Sequence, residues 1–257
     1  MEVRGVKFRV GRQWRVGGLF SPGGSGRSAA VLALHGFPGV QQNEDIAAEL
    51  CRRGMTVFLP HFGGCWGSGG PYHVDGLAAD AEAAFALLRR YRHVDAERVG
   101  ILGYSLGGWV ALKLAAQARA AAVAVLAAAV PREGELGDVH YLRKNGRVVN
   151  IRSVAEVWKE YLRAARDDRP QEYLPAIAPA PVLFLHGQRD RLVPPASSVR
   201  LFTLTREPKQ LLELPDEDHE FQTDRRRVVG AVCSWLESRL TDPLPEKALP
   251  LAAAERV

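Results

Sequence analysis

The sequence predicts an α/β protein, a mostly parallel sheet of eight strands with helices on both faces. Three observations lead there. Short apolar runs rich in β-branched residues alternate with amphipathic helical spacing, the pattern of parallel strands joined by crossover helices. A chain of 257 residues is long enough to bury one large core. Its 47% hydrophobic and 25% charged content is that of a folded globular protein, which excludes wholesale disorder.

The first two strands, "VKFRV" and "WRVGGLF", are separated by a short polar turn and read as an antiparallel hairpin. "AVLALHG", "TVFLPHF", "RVGILGY", "AAVAVLA", "PVLFLHG" and "QLLELPD" supply the other six. Helices are expected from Glu44 to Arg53, Gly76 to Tyr91, Leu106 to about Gln117, Ala196 to about Thr205, and Asp224 to Leu240. In the second of these, Leu77, Ala81, Ala84, Phe85 and Leu88 recur at helical spacing and give one buried face.

The rhythm breaks between about 131 and 180. Asn145-Gly146 suits a two-residue hairpin turn, and "SVAEVWKEYLRAAR" follows with helical spacing. This interval reads as a small lid inserted over the carboxyl edge of the sheet; the other reading is a crossover helix with a long loop. The expected organisation is a catalytic domain over 1–240 and a flexible tail over 241–257, where three prolines interrupt any periodicity.

Charge and composition narrow the partners. The formal charge of +5 comes from 34 Lys and Arg interleaved with 29 Asp and Glu, and the run Arg225-Arg226-Arg227 falls on an expected helix face. No basic-aromatic strip accompanies it, so no nucleic-acid partner is expected. Cys51, Cys65 and Cys233 are odd in number and lack ligand spacing, which speaks against a disulfide framework and against a metal site. The first residues alternate charged with apolar side chains, unlike a signal peptide, and "AAAVAVLAAAV" is shorter than the ~18 residues a bilayer requires. A cytoplasmic protein with no membrane partner is expected.

The chemistry gathers on four stretches. Gly103-Tyr104-Ser105-Leu106-Gly107 fits G-x-S-x-G between a strand and a helix, where a sharp turn exposes the serine hydroxyl at the sheet's carboxyl end. The acid and the base should follow in that order on loops after later strands. "PVLFLHGQRDRLVP" offers Asp190 and "QLLELPDEDHEF" offers His219. Asp216 and Asp218 are rival acids, but too close in sequence to His219 to reach the far side of its ring. Oxyanion donors are expected from the backbone N–H groups of Leu106 and of Phe37 in "VLALHGFPG", with His35 supporting that loop by hydrogen bonds. Two phosphate-type motifs fail. The glycines at 24–29 precede a strand where a dinucleotide fold needs a helix, and "GGCWGSGG" lacks the Gly-Lys-Ser/Thr ending.

Together HGFPG at 35–39, GYSLGG at 103–108, HGQRDRLVP at 186–194 and His219 resemble the α/β-hydrolase superfamily of serine hydrolases over roughly 6–240. Within it the chain is similar to bacterial carboxylesterases of the cinnamoyl or feruloyl esterase kind. It is similar also to hydrolase domains of the serine aminopeptidase and prolyl-oligopeptidase kind. The resemblance implies an α/β-hydrolase fold and a carboxylesterase cleaving small or aromatic esters through an acyl-enzyme on Ser105, without cofactor or metal. A peptidase or amidase with the same three residues is the alternative, and a non-catalytic binding protein of this fold is the remote one. The resemblance also puts the loop at 63–70 beside the active site, where Trp66 either lines the substrate pocket or packs a glycine-rich turn. Tyr141, Trp158 and Tyr161 are either pocket wall or lid core.

Overall fold

The computed structural model describes residues 1–40, 43–132 and 139–241. Eight strands form one sheet: β1 (Glu2–Val10), β2 (Gln13–Ser21), β3 (Ser28–Leu34), β4 (Thr56–Pro60), β5 (Val94–Tyr104), β6 (Val123–Leu126), β7 (Val182–Gly187) and β8 (Lys209–Leu214). Their order across the sheet is β1-β2-β4-β3-β5-β6-β7-β8. β1 and β2 pair antiparallel from Glu2 opposite Ser21 to Val10 opposite Gln13, and β2 joins β4 antiparallel. The remaining pairings are parallel. All eight expected strands are present, and so is the hairpin.

Between them run α1 (Glu44–Arg52), α2 (Leu77–Arg89), α3 (Leu106–Gln117), α4 (Val139–Asn145), α5 (Val154–Asp167), α6 (Pro170–Tyr173), α7 (Pro195–Leu204) and α8 (Arg225–Leu240). The sheet has two buried faces because the paired stretches of its central strands, such as 99–102, 123–126 and 182–185, are apolar and alternate sides. Val99, Ile101, Val123, Val125, Val182 and Phe184 face a core closed by α2, α3 and α7. Leu102, Ala124, Leu126, Leu183 and Leu185 face the other, closed by Ile46 and Leu50 of α1 and Val228, Val232 and Leu236 of α8. Each such aliphatic side chain contributes about 1.5–3 kcal/mol on burial. Among the described residues no helix is long and apolar enough to cross a membrane.

The interval between β6 and β7 corrects one expectation. Asn145-Gly146 makes no hairpin: α4 runs to Asn145 and a single 3-10 turn follows over Gly146–Val148. An Asn-Gly turn needs two strands to join, whereas here the preceding residues coil to bury Leu142. Asn145 Nδ2 donates back to the Tyr141 carbonyl at 3.0 Å, a local bond within the helix. The expected helix is present as α5, which opens on Ser153, whose hydroxyl accepts from the Glu156 N–H. Residues 133–138 of the expected lid, and the expected tail apart from Thr241, lie outside the described residues.

The interval is bolted to the loop after β4. The N–H of Tyr72 donates to Asn150 O, and the Asn150 N–H donates to Gly64 O, both at 2.8 Å. Glu160 on α5 accepts from the Val74 N–H at 2.7 Å and pairs with His73. The loop is itself pinned by a buried ion pair. Arg15 Nε donates to Asp80 Oδ1 at 2.7 Å, the Gly63 N–H donates to Oδ2 at 2.7 Å, and an Arg15 amino group donates to Gly69 O at 2.9 Å. Burial pushes the Asp80 carboxyl up, against the pull of Gly63 and Arg15.

A buried carboxylate stripped of its guanidinium is among the costlier defects a core can carry. Arg15→Ala is therefore expected to lose about 3–5 kcal/mol of stability in urea unfolding. The double variant Arg15→Met, Asp80→Leu should recover part of that loss, since it leaves no uncompensated charge. An Arg15→Ala protein as stable as the parent would show that the pair does not anchor the loop.

Candidate active site

Ser105 stands between β5 and α3 at φ 53 and ψ −122, a conformation side chains rarely adopt. The glycines around it answer a steric demand. A Cβ on Gly103 would lie 2.5 Å from Gly107 O, one on Gly107 would run into the Leu34 and His35 carbonyls, and one on Gly36 would lie 2.8 Å from Ser105 Cβ. Neighbouring strands stitch the turn in place. The Ser105 N–H donates to Leu126 O, and the Ala129 N–H donates to Ser105 O, both at 2.9 Å.

The three side chains singled out from the sequence come together at the carboxyl edge. His219 Nδ1 lies 2.7 Å from Asp190 Oδ2, and His219 Nε2 lies 3.0 Å from Ser105 Oγ. An ionised carboxylate can only accept, so Nδ1 carries the ring proton and Nε2 is left to accept from the serine hydroxyl. Asp190 Oδ1 accepts from the Leu192 and Val193 N–H groups, each at 2.8 Å. Burial alone would raise the Asp190 carboxyl, but N–H donors on His186, His219 and Val193 hold it well below the usual carboxylate range. All three residues are buried. The arrangement can accept a proton from the hydroxyl and stabilise the imidazolium that results.

Of the rival acids, Asp216 pairs with Arg189 at the surface, and the carboxylate bonded to His219 Nδ1 is that of Asp190. Backbone bonds fix the His219 loop against the Asp190 loop, with the Arg189 N–H donating to Glu217 O at 2.9 Å. The buried Glu217 carboxylate turns the chain after His219 by accepting from the Thr223 and Asp224 N–H groups. Tyr104, the residue before Ser105, donates its hydroxyl to His219 O at 3.2 Å and lays its ring against the imidazole.

His35 supports the Phe37 loop, as its place in the sequence suggests. It is buried, its Nε2 accepts from the Phe62 N–H at 3.2 Å, and its Nδ1 donates to Gly36 O at 2.7 Å. Burial lowers its pKa to about 4, so the ring stays neutral.

A cavity of about 80 Å³ opens beside Ser105. Phe37, Tyr141, Trp158 and Tyr161 form its aromatic walls and Leu142 and Val193 close it, with no charged side chain among its described lining residues. Burial pushes the Tyr141 and Tyr161 phenols up, which keeps them uncharged. Leu106 also lines the cavity, at the first turn of α3. Trp66 does not line it. Its backbone is left-handed at φ 43, nearly half its surface is exposed at 47%, and its indole stands against Gly39. Two contributors went unrecognised in the sequence: the Phe37 side chain as a wall, and His186 as a second partner of Asp190. His186 opens the stretch HGQRDRLVP, but nothing in that stretch marks it as a donor to Asp190. Among the described residues no three His, Cys, Asp or Glu side chains gather where they would hold a metal.

Comparison with known proteins gives a consistent picture. A family model described as the prolyl oligopeptidase family matches residues 44–242. Rv2307c of Mycobacterium tuberculosis (strain ATCC 25618 / H37Rv), an uncharacterized protein, is 34% identical over 207 residues, which cover 80% of this chain and 68% of its own. YfhR of Salmonella typhimurium, also uncharacterized, is 28% identical over 225 residues, covering 85% and 75%. Among solved structures, Est1E from Butyrivibrio proteoclasticus with ferulic acid bound superimposes with a TM-score of 0.75 over 91% of this chain and 98% of its own. At 18% identity that likeness is one of fold. A fungal protein described as an α/β hydrolase, GrgF from Penicillium, gives the same TM-score of 0.75 at 19% identity over 93% of this chain and 99% of its own. The fold is that of the α/β hydrolases.

The neutral His35 carries a pH dependence of stability. Its folded pKa of about 4 lies below the unfolded value of about 6.5, so between them the unfolded chain binds a proton that the folded chain refuses. Stability should therefore fall as pH drops from 6.5 to 4, by up to ~3 kcal/mol from this group. Urea midpoints measured across that window in wild type and in His35→Gln should show a flatter profile in the variant. Equal slopes would mean that His35 is not the group responsible.

Proposed function

We propose that this chain, which belongs to the prolyl oligopeptidase family, is a serine hydrolase cleaving carboxylic esters with short or compact aromatic, uncharged acyl groups. The observation that carries the reading is the hydrogen-bonded line from Ser105 through His219 to Asp190, opening on an aromatic cavity with no charged side chain among its described lining residues. Ser105 Oγ attacks the acyl carbon while its proton passes to His219 Nε2. Asp190 steadies the imidazolium. The N–H groups of Phe37 and Leu106 receive the oxyanion, the alcohol leaves with the His219 proton, and water repeats the cycle to release the acid.

Cavity size sets the acyl preference. About 80 Å³ is roughly half the ~150 Å³ of an apolar cavity that takes up benzene, so acetyl to butyryl groups fit as the walls stand. An aromatic acyl group enters by displacing Trp158 or Tyr161. Amide cleavage is the second reading, favoured by the family's name and by the tetrahedral oxyanion common to both reactions. On that reading the uncharged walls select blocked substrates over free amino or carboxyl termini. A reducing, cytoplasmic setting fits Cys51, Cys65 and Cys233, all buried free thiols, with burial pushing the Cys65 thiol up to about 12.

A fluorophosphonate should label wild type at Ser105 alone, and Ser105→Ala should retain the fold while losing at least ~10³-fold in kcat. An active alanine variant, or labelling at another residue, would sink the assignment. p-Nitrophenyl esters of rising acyl length, aromatic-acid methyl esters and blocked aminoacyl anilides, assayed on one sample, separate the ester and amide readings. A pure binding protein would turn over none of them.

The same panel tests the wall. Trp158→Ala should leave acetyl ester turnover nearly intact and raise the relative rate of longer or aromatic acyl esters by roughly tens-fold, since a pocket methylene is worth ~1–3 kcal/mol. Uniform loss across the panel would remove Trp158 from substrate selection.

A further inference from the structure

Asp190 is held by two imidazoles, and the mechanism above uses only one. His186, the penultimate residue of β7, is fully buried. Its Nε2 lies 3.1 Å from Asp190 Oδ2 and 3.0 Å from Val193 O, and its Nδ1 lies 2.6 Å from Ser198 Oγ on α7. A carboxylate and a carbonyl both accept, so Nε2 must carry the proton and donate to the pair. Nδ1 then accepts from the Ser198 hydroxyl. Three contacts in different directions leave the ring no freedom to rotate.

We propose that His186 is a positioning residue for the reaction, its Nε2–H fixing Asp190 Oδ2 where His219 Nδ1 can donate to it. The proposal rests on the roles given above to Ser105, His219 and Asp190. The Leu192 and Val193 N–H groups anchor Oδ1, but a carboxylate held at one oxygen still pivots about that anchor. His186 supplies the donor at the other oxygen, the same atom that faces His219.

A second consequence is chemical. When His219 becomes an imidazolium, its Nδ1 proton can stay on nitrogen or move to Asp190, and each further N–H donor on the carboxylate favours nitrogen. Asp190 with Leu192, Val193 and His186 as donors is a weak base, so the proton on His219 Nε2 remains available for the leaving alcohol. The same bond from His186 to Val193 O closes the 187–193 loop, and Val193 lines the cavity. A merely structural role for His186 would act through that loop and disturb substrate binding.

The test compares His186→Leu, which removes the donor at similar bulk, with His186→Gln, whose side-chain amide restores an N–H at comparable reach. Readouts are kcat and KM for p-nitrophenyl acetate, the rate of fluorophosphonate labelling, and the thermal midpoint. His186→Leu should lose about ten- to a hundredfold in kcat and in labelling rate, with KM within about twofold, as expected for one charge-assisted bond. His186→Gln should recover most of that loss. Wild-type kcat in the leucine variant overturns the proposal, as does equal loss in both variants or a loss that falls on KM. Should the leucine variant fail to fold, Ser198→Ala carries the test: it frees the ring while leaving the Nε2–H, and should lower kcat about threefold to tenfold with KM unchanged. An unchanged kcat there, or a change confined to KM, overturns the proposal equally. Failure of the underlying roles looks different: wild type would then take up phosphonate away from Ser105.

Discussion

The backbone at Ser105 is the constraint on which the rest of the site depends. A residue held at φ 53 and ψ −122 costs on the order of 1–3 kcal/mol and persists only where its surroundings leave no alternative. Here β3 and β6 flank β5 on either side, and the Leu34 and His35 carbonyls stand so close to Gly107 that no side chain fits. The turn lifts the hydroxyl out of the strand's plane, toward His219. Every other group in the site is placed relative to that point, and each arrives from the carboxyl end of a parallel strand: Phe37 after β3, Asp190 after β7, His219 after β8.

One loop does two jobs. Residues 188–194 present Asp190 to His219, and Leu192, Val193 and Pro194 of the same loop line the cavity. The Leu192 and Val193 N–H groups that hold the acid belong to residues whose side chains face the substrate's place. Acid geometry and pocket shape are thus coupled through three or four residues of backbone. Tyr141, Trp158 and Tyr161 of the aromatic wall come from elsewhere, from α4 and α5, and that interval is tied by Asn150 and Glu160 to the loop after β4. On the proposed reading, substitutions of Trp158 or Tyr161 change which acyl group fits without moving Ser105, His219 or Asp190.

Legibility in the sequence followed how local the cause was. Strands β5, β6 and β7 bury both faces and therefore read as continuous apolar runs, and α3 ends within a residue of its expected bounds because its start is fixed by the serine turn. Ser105, Asp190 and His219 were readable because each follows a strand in the order the fold demands. Asn145-Gly146 misled because a turn signal says nothing of whether strands flank it, and the burial of Leu142 that selected a helix is a tertiary event. Of the two readings open for Trp66, the pocket one fails for a related reason: its loop turns the indole toward Gly39 and solvent. His186 was hidden by its neighbours, since a histidine near the end of an apolar strand carries no mark of its bond to the carboxylate four residues on.

The distribution of charge ties the site together. Burial keeps His35 neutral and the Tyr141 and Tyr161 phenols protonated, so the cavity beside Ser105 holds no fixed charge from them. Asp190 is the buried carboxylate in contact with the reacting groups, and its negative charge is met by N–H donors on every side before any substrate arrives. In the proposed mechanism the negative charge that develops on the acyl oxygen is offset by the imidazolium that forms on His219. It meets the N–H groups of Phe37 and Leu106, the latter at the amino end of α3, where the helix's partial positive charge is concentrated. Backbone dipoles already oriented by the serine turn act more strongly in such buried surroundings than they would in water. The strained turn thus places the proposed nucleophile and, through the helix it starts, orients one of the groups proposed to stabilise the product of its attack.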